Sequence, residues 1–276
     1  MVQLNVTDDP AANLPQTLAL VREAAAAGAG FVLTPECTNL LSANRAWQTE
    51  VLRPEGTDAT LAALRAEAAA LGVWLLIGSL GIADPGSDGR FANRSFLVAP
   101  DGSIAARYDK IHMFDVAVSE RETFRESAAY RPGARAVVAQ TPFARLGMSV
   151  CYDVRFPYLY RALAQAGAEV LSVPAAFNHI TGAAHWEVLL RARAIETGCY
   201  VLAPAQCGSH GAAHATPDAP PRLTYGHSLA IAPWGEVLAD GGTLPGVTLV
   251  PIDRAEVVRA RSRIPSLMHD RSFQGP

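Results

Sequence analysis

The chain has 276 residues, of which half are hydrophobic and 18% are charged, and its formal net charge is −3. A chain of this length and composition can bury a large core within one globular domain. The small net charge and the lack of a basic run argue against nucleic acid as a partner. The longest apolar runs, such as residues 73–77, are strand-sized and far shorter than the roughly 20 residues that cross a bilayer. With no secretion signal at the N-terminus, we expect a cytoplasmic protein without membrane contact that acts on a small molecule.

Four cysteines lie inside or beside apolar segments: Cys37, Cys151, Cys199 and Cys207. Their lack of C-x-x-C spacing favours reduced thiols over a disulfide framework or a structural zinc site. Cys207 is followed by His210 and His214 at a loose metal-ligand spacing, but no fourth ligand is evident in this Gly/Ala-rich stretch. We therefore expect no metal site.

A helix followed by a strand recurs along the chain. Residues 22–35 (REAAAAGAGFVLTP) and 161–174 (RALAQAGAEVLSVP) match at a constant offset of 139, so the two halves of the chain resemble each other. Looser versions occur at 64–81 and 187–205. In each, an alanine-rich helix ends at glycine and an apolar strand follows, which predicts an α/β fold.

Other stretches complete this outline. Residues 91–110 and 225–240 contain Asp-Gly and Trp-Gly turns between apolar runs and predict hairpins, so we expect mixed rather than purely parallel sheets. Residues 115–133 and 208–221 are predicted to be surface loops, the first of them beside the active site.

The two ends of the chain are less regular. The first strand is short, because only residues 2–4 precede the turn at Asp8. The tail after Asp253 is rich in arginine. We expect residues 1–253 to form the domain and residues 254–276 to form an arm packed on that domain or on a partner subunit.

Cys151 lies at a predicted junction between a strand and a helix. The apolar residues Leu146, Met148 and Val150 predict the strand, and the alanine-rich residues after Pro157 predict the helix. Unpaired N–H groups at a helix start favour a thiolate over the free thiol, whose pKa is about 8.5, and would make Cys151 a better nucleophile. A buried structural cysteine fits this stretch equally well, since cysteine is among the most buried residue types.

Two charged residues follow predicted strands elsewhere. Glu36 comes directly after the apolar strand FVLTP, at the strand end where open α/β folds place ligands. It can be a general base if burial raises its pKa, although a surface or capping glutamate is the commoner case. Lys110 ends a hairpin strand between apolar neighbours and can face a developing oxyanion, although a lone lysine more often reaches into water. Each residue alone leaves both alternatives open.

Together these stretches resemble the nitrilase superfamily of carbon–nitrogen hydrolases. The matching runs are TPE at 34–36, DKIHMFD at 109–115, CYDVRFP at 151–157, PAAFN at 174–178 and AHWEVLLRARAIE at 184–196. The resemblance covers nearly the whole chain, and several motifs in the same order are more specific than any single one. It implies a four-layer α-β-β-α sandwich with mixed sheets. It also implies that two such sandwiches pair through their helical layers in a homodimer or a larger homo-oligomer.

By this resemblance Glu36 is the general base, Lys110 the cation that stabilises the oxyanion, and Cys151 the nucleophile. Glu126 in FRES matches a second, auxiliary glutamate of the family. Amide hydrolysis through a thiol needs a base, an acyl-enzyme and a donor to the tetrahedral oxyanion. Lys110 would share that last role with a backbone N–H near Tyr152. These groups need no histidine, metal or organic cofactor, so we expect none.

Residues beside these motifs are candidates for supporting roles. Tyr152, Asn178 and Thr181 are predicted to bind substrate, because they follow the nucleophile or a strand end. Asp153 and Arg155 are expected to brace the turn that carries the nucleophile rather than to contact substrate.

Other polar residues have simpler interpretations. His185 and Glu187 match the family pattern and would support the site, or else form a satisfied interior pair. Arg191 and Arg193 lie on one predicted helix and are expected to form structural ion pairs. Cys37 adjoins the proposed base but lacks the strand-to-helix context, so we assign it to packing or the pocket wall.

The branch of the superfamily is less sharply defined. Residues 184–208 are most similar to deaminated glutathione amidases, which hydrolyse the amide of a glutathione whose glutamyl amino group is replaced by a keto group. The runs KIHMFD and CYDVRFP are shared with ω-amidases, which act on α-ketoglutaramate and α-ketosuccinamate. Either branch implies a small anionic keto-acid amide as substrate, and a nitrile fits less well. A catalytically weak binding protein of the same fold and an acyl-transferring relative are the alternatives.

Overall fold

A computed structural model describes residues 1–84, 86, 88–119, 122–215 and 221–276. Its α-helices are Pro10–Ala26 (α1), Arg45–Val51 (α2), Ala59–Leu71 (α3), Pro157–Gln165 (α4), His179–Thr197 (α5) and Arg254–Arg263 (α6). Short 3₁₀ helices cover Glu55–Thr57, Glu126–Ala128, Cys151–Arg155 and Ser266–Met268.

The strands of the first half are Val2–Gln3 (β1), Phe31–Leu33 (β2), Trp74–Ala83 (β3), Phe91–Val98 (β4), Ile104–Asp109 (β5), Asp115–Ala117 (β6), Thr123–Arg125 (β7) and Tyr130–Arg131 (β8). Those of the second half are Val137–Gln140 (β9), Arg145–Met148 (β10), Val170–Ser172 (β11), Tyr200–Ala203 (β12), Cys207–Ser209 (β13), Leu223–Tyr225 (β14), Leu229–Ile231 (β15), Val237–Asp240 (β16) and Gly246–Val247 (β17).

Two mixed sheets form the centre of the molecule. The first has the order β2-β3-β4-β5, with β8 also paired to β4, and the second has the order β16-β15-β12-β11-β10-β9. β2 and β3 are parallel, as are β10, β11 and β12, whereas the predicted hairpins β4-β5 and β15-β16 are antiparallel. The prediction of mixed sheets is confirmed.

Alternate residues of the first sheet face two different cores. Leu76 and Leu97 pack into the core shared with the second sheet, whereas their neighbours Leu75 and Phe96 pack into the core beneath α1 and α3. These strands are continuously apolar because both of their faces are buried. On the far side of the second sheet, α4 and α5 pack their apolar faces on the strands. The four layers are therefore α-β-β-α, as the resemblance implied.

The internal repeat is visible in the structure. α1 ends at Ala26 and α4 at Gln165, and β2 and β11 begin at residues with the same spacing. Gly28 and Gly167 fill the turn in each copy, with φ values of 95° and 94° that favour glycine. The predicted similarity of the two halves is confirmed for this helix–turn–strand unit.

Residues 115–133 do not form the predicted loop. β6 and β7 pair as an antiparallel hairpin, and after the 3₁₀ helix Glu126–Ala128, β8 joins the first sheet. Strands of two or three residues are too short to produce a recognisable period in the sequence. In the second predicted loop, β13 pairs with β14 across irregular residues 210–215. Parts of both predicted loops, residues 120–121 and 216–220, lie outside the described residues.

The ends of the chain are packed against the domain. β1 pairs with β17, and Leu4 continues it by a bridge to Gln206. α6 buries Val257 and Ala260, and Arg254 bonds Glu169 at 2.8 Å. Within the described residues, no helix combines the length and the apolar character needed to cross a membrane.

Gly78 in β3 packs against the residues that follow β2 and β11. A Cβ atom there would lie 2.1 Å from the Thr34 carbonyl oxygen and 2.6 Å from the Pro174 Cβ. We predict that Gly78→Ala lowers the free energy of unfolding by about 1–3 kcal/mol, because the backbone has to move. Urea unfolding measures this change, with Gly30→Ala as the control because a Cβ at Gly30 meets nothing within 4 Å. Equal stability of the two variants would contradict the prediction.

Candidate active site

The three predicted catalytic residues all follow strands of the two central sheets. Glu36 lies three residues after β2, Lys110 directly follows β5, and Cys151 lies three residues after β10. The structure brings them together: Lys110 Nζ lies 2.9 Å from Glu36 Oε1, and the Cys151 thiol and the Glu36 carboxylate are near enough for each to shift the pKa of the other. All three line one cavity of about 630 Å³.

Lys110 is held between two carboxylates. Besides Glu36, its Nζ lies 3.0 and 2.8 Å from the two carboxylate oxygens of Glu126, which also accepts from the Phe114 N–H at 2.7 Å. The Lys110 side chain is only 2% exposed. Burial by itself lowers the pKa of Lys110, but the charges of Glu126 and Glu36 outweigh it and raise the pKa well above the usual value. The site therefore contains a permanent ammonium group.

Glu36 is buried but ionised. It accepts hydrogen bonds from Asn93 Nδ2 at 2.9 Å, from Lys110 and from the Ala176 N–H at 2.8 Å. Burial raises the pKa of Glu36. The Lys110 charge and the hydrogen bonds from Cys151, Lys110 and Ala176 outweigh burial, so the pKa lies below the ordinary 4.5. Burial acts in the direction considered above for a general base, but the net shift of the pKa is downward. Glu36 is therefore a carboxylate at neutral pH.

Cys151 lies at a junction between strand and helix, as predicted. It begins the 3₁₀ helix Cys151–Arg155, and α4 starts only at Pro157. Burial and the Glu36 charge raise the pKa of the thiol well above the usual value, with Lys110 opposing them. The expectation that a helix N-terminus favours the thiolate is wrong, because Cys151 does not lie at the start of an α-helix and because burial and the Glu36 charge both favour the protonated thiol. The resting thiol is protonated.

The backbone at Cys151 has a positive φ of 49°, which is unusual for a residue with a side chain. Its N–H donates to the Pro174 carbonyl at 2.9 Å. Asp153 accepts from the Val150 N–H at 2.9 Å and from the Tyr108 hydroxyl at 2.6 Å, and it also binds His112. The prediction that Asp153 braces this turn is confirmed.

Two arginines of α5 form ion pairs within their own helix. Arg191 pairs with Glu187 at 3.2 Å, and Arg193 pairs with Glu196 at 2.6 Å. Arg155 lies 3.3 Å from His185 Nδ1. The predicted ion pairs of the two α5 arginines are confirmed. His185 and Glu187 are exposed, so the interpretation as an interior pair is wrong.

The three predicted substrate-binding residues line the cavity. Asn178 also caps α5, since its Oδ1 accepts from the Ile180 N–H at 2.9 Å. The Tyr152 ring packs edge-on against Phe114, with their centroids 5.2 Å apart. Thr181 lies in the first turn of α5. Their contacts with substrate stay predictions.

Cys37 forms part of the cavity wall, as predicted. Burial and the neighbouring Glu36 charge raise the pKa of its thiol well above the usual value. All four cysteines of the chain are free thiols in the structure.

The side chains of His210 and His214 contact other residues of the protein. His210 Nδ1 lies 2.7 Å from the Val6 carbonyl and its Nε2 lies 2.7 Å from Thr224 Oγ1, so both ring nitrogens are occupied. The His214 ring stacks on Trp47 with centroids 3.5 Å apart. Among the described residues, no group of three or more His, Cys, Asp and Glu side chains could hold a metal ion.

Two polar residues of the cavity, Asn93 and Arg222, were not predicted from the sequence as site residues. Asn93 bonds both Glu36 and Glu126, and its signal was an asparagine inside the apolar strand β4, where this residue is depleted. Arg222 directly precedes β14, and its Nη2 donates to the Ala176 carbonyl at 3.0 Å. An arginine at a loop-to-strand boundary carries no comparable signal.

Residues 1–262 match the family model of the carbon-nitrogen hydrolases. The chain belongs to this family. It is 42% identical to the deaminated glutathione amidase of Yersinia enterocolitica, over 88% of this chain and 82% of that protein. It is also 34% identical to the human omega-amidase NIT2, over 99% of this chain and 94% of that protein. The carbon–nitrogen hydrolase is therefore an amidohydrolase that acts on small molecules.

Solved structures agree with this assignment. The NitFhit protein of C. elegans superposes with a TM-score of 0.88 at 34% identity, covering 98% of this chain. This carbon–nitrogen hydrolase spans 64% of the NitFhit chain. An amidase from Nesterenkonia sp. AN1 superposes with a TM-score of 0.75 at 25% identity over 96% of each chain, and that amidase carries acrylamide added to its active-site cysteine. The predicted nitrilase-like fold is confirmed.

His210 makes the stability of the protein depend on pH. Burial lowers its pKa from 6.5 to about 4. Because the unfolded chain binds this proton more tightly, the stabilisation is complete above pH 6.5 and is lost as the pH falls toward 4. We predict that this histidine accounts for up to about 3 kcal/mol of the loss between pH 7 and pH 4.

Urea unfolding of wild type and His210→Gln at several pH values measures that contribution. The variant is expected to be less stable at pH 7 but to lose less stability on acidification. His269→Gln is the control, because His269 is exposed. Parallel pH profiles for wild type and His210→Gln would contradict the prediction.

Proposed function

We propose that this amidohydrolase works through a thioester on Cys151, with Glu36 as general base and Lys110 as the cation facing the oxyanion. One observation carries the proposal: Glu36, Lys110 and Cys151 line a single cavity, in which the Glu36 carboxylate lies 2.9 Å from the Lys110 ammonium and its charge raises the pKa of the Cys151 thiol. Direct proton transfer requires such proximity.

The protonation states suit the first step. Cys151 rests as a thiol and Glu36 as a carboxylate, so the thiol proton moves to Glu36 as Sγ attacks the amide carbon. The carbonyl oxygen becomes an oxyanion, which Lys110 and the backbone N–H of Tyr152 stabilise in this proposal. Glu36 then returns the proton to the leaving nitrogen as the C–N bond breaks.

The second step releases the acid. Glu36 takes a proton from water, whose oxygen attacks the thioester carbon, and the C–S bond breaks. The proton returns to the Cys151 sulfur, so the enzyme regains its resting state. Glu126 supports both steps by holding Lys110 from the opposite side, at 2.8 Å.

The proposed substrate is deaminated glutathione. The relative from Yersinia enterocolitica bears the name of that amidase at 42% identity. The cavity of about 630 Å³ falls within the range typical of small-molecule sites, and an amide the size of an amino acid would leave much of it unfilled. The second candidate is α-ketoglutaramate, which is favoured by the 34% identity to human omega-amidase NIT2.

Product analysis on three amides tests this proposal. We predict that wild type cleaves deaminated glutathione with release of an amine, cleaves α-ketoglutaramate more slowly with release of ammonia, and acts least on a simple aliphatic amide. A preference for α-ketoglutaramate would keep the mechanism and change the substrate. When hydroxylamine is added, it should attack the thioester in place of water and form a hydroxamate.

Variants separate the roles of the two cavity thiols in the same assay. Cys151→Ala is expected to lose both hydrolysis and hydroxamate formation by more than about a thousandfold. Cys37→Ala should keep hydroxamate formation, since Cys37 belongs to the cavity wall in this proposal. The opposite result for these two cysteines would refute the assignment. Transfer to an amine without hydrolysis would favour an acyltransferase.

We also propose a homodimer or larger homo-oligomer. Large apolar side chains are exposed on the two helices that cover the second sheet, including Tyr158 of α4 and Val188 and Ile195 of α5, at 64%, 68% and 55%. Such a patch favours association with another copy of the chain. We predict that sedimentation detects an assembly in wild type and a shift toward monomer in Val188→Glu. A monomeric wild type would overturn this proposal.

A cytoplasmic location is proposed as well. The buried Cys199 and Cys207 and the cavity residue Cys37 are free thiols, which suits a reducing compartment. Cell fractionation tests this placement, and recovery in a secreted fraction would contradict it.

A further inference from the structure

Arg222 is a buried cation of the cavity that the proposed mechanism does not use. It directly precedes β14, where its carbonyl accepts from the His210 N–H at 3.0 Å. Its guanidinium lies 4.5 Å from the centre of the Phe124 ring, and Nη2 donates to the Ala176 carbonyl at 3.0 Å. Strand pairing, ring and carbonyl together hold the guanidinium in one orientation against the cavity.

The other terminal nitrogen of the Arg222 guanidinium, Nη1, carries N–H donors that have no acceptor among the described residues. Nη1 is buried and makes no hydrogen bond within the part of the chain that the structure describes. A buried N–H without an acceptor is costly, and on a guanidinium it is matched best by a carboxylate. Arg222 lines the cavity and the residue as a whole is only partly buried, so a small movement of its side chain is enough to present Nη1 to a ligand in the cavity.

The other cations that line the cavity are committed or exposed. Lys110 already contacts three carboxylate oxygens, at 2.8–3.0 Å. Arg45 donates to the Ala129 carbonyl at 3.3 Å and lies over the ring of Phe91. Arg125 is exposed at the cavity rim. Among the described cavity residues, Arg222 is therefore the cation best prepared for a buried anion.

The charge on Arg222 persists near neutral pH. Burial lowers its pKa, whereas the negative charges of Glu36 and Glu122 oppose that effect. An arginine nonetheless stays protonated in a protein. Of the neighbouring acids, Glu122 accepts from Asn178 Nδ2 at 3.3 Å and Glu36 is bonded to Lys110, so each has another partner.

Arg222 also lies at a useful distance from the reacting groups. Ala176 donates its N–H to Glu36 Oε2 at 2.8 Å and accepts from Arg222 through its carbonyl at 3.0 Å. One residue thus joins the proposed base to this arginine, and the two side chains lie within about 10 Å of each other. In an amide of a five-carbon dicarboxylic acid, the free carboxylate is about 5 Å from the amide carbon. Such a molecule can reach both groups.

We propose that Arg222 binds the free carboxylate on the acyl side of the substrate and selects monoamides of dicarboxylic acids over neutral amides. This inference rests on the proposed function, because it places the amide carbon at Cys151. The carboxylate accepts from Nη1 while Nη2 keeps its bond to Ala176. Bound in this way, the acyl chain points its amide toward the catalytic groups.

Three small amides separate the possible positions of the carboxylate. Glutaric acid monoamide carries it on the acyl side, pentanoylglycine carries it on the leaving group, and pentanamide has none. We expect Arg222→Met to lower kcat/KM for glutaric acid monoamide by roughly 10- to 100-fold, mainly through KM, and to change pentanamide by less than about threefold. Arg222→Lys should recover part of the loss, because lysine keeps the charge without the fork of donors.

A matched control is Arg263→Met, which removes an arginine stacked on Trp234 at the end of α6. It should leave all three substrates unaffected. Equal losses on glutaric acid monoamide and pentanamide in Arg222→Met would mean that Arg222 only supports Ala176, and would overturn the proposal. A loss confined to pentanoylglycine would overturn it too, because Arg222 would then bind the leaving group.

Binding measurements keep this test independent of turnover. Calorimetry in the Cys151→Ala background should show glutaric acid monoamide binding at least 10-fold more tightly than pentanamide, and Arg222→Met should abolish the difference. If this selectivity is found while wild type cleaves none of the amides, the proposed function fails and the carboxylate site stands. If wild type cleaves amides and the binding is independent of Arg222, the carboxylate site fails and the proposed function stands.

Discussion

The buried ammonium of Lys110 between Glu36 and Glu126 is the interaction on which the rest of the site depends. Removing an ammonium from water is costly unless opposite charges surround it, and here two carboxylates do so at 2.8–3.0 Å. The same arrangement keeps Glu36 ionised, while burial and the Glu36 charge keep Cys151 protonated. A base without its proton therefore faces an acid that still holds one. In the proposed mechanism this asymmetry allows proton transfer between the pair without a histidine.

That arrangement requires the two sheets to approach closely, and the backbone is shaped accordingly. Gly78 provides the space for the strand ends of both halves, since any Cβ there would meet Thr34 and Pro174. Cys151 adopts a positive φ of 49°, a conformation that costs roughly 1–3 kcal/mol and persists only where the surroundings enforce it. The Pro174 carbonyl and the buried carboxylate of Asp153 supply that constraint. Cys151 is thus positioned by the backbone and its hydrogen bonds.

The sequence predicted the features that depend on local pattern. The helix-and-strand repeat, the hairpins and the junction at Cys151 each follow from apolar runs that end at glycine or proline. The directions of the pKa shifts at Glu36 and Cys151 could not be predicted, because they depend on neighbours that only the folded chain brings near. The hairpin β6-β7 escaped detection because three-residue strands carry too little periodicity. Arg222 could not be recognised from the sequence, because its place in the cavity depends on a hydrogen bond to Ala176, which lies 46 residues away in sequence.

The repeated helix–turn–strand unit has a consequence for how the enzyme folds. Each half of the chain can pair its own parallel strands, but Glu36 and Lys110 follow strands of the first sheet and Cys151 follows a strand of the second. The bond from the Ala176 N–H to Glu36 spans 140 residues, and the bond from Gln206 to the Glu36 carbonyl spans 170. Contacts so distant in sequence form slowly, since a long loop has to close before they are made. A chain in which both sheets have formed but have not yet packed together therefore has its native strand pairing but no assembled site.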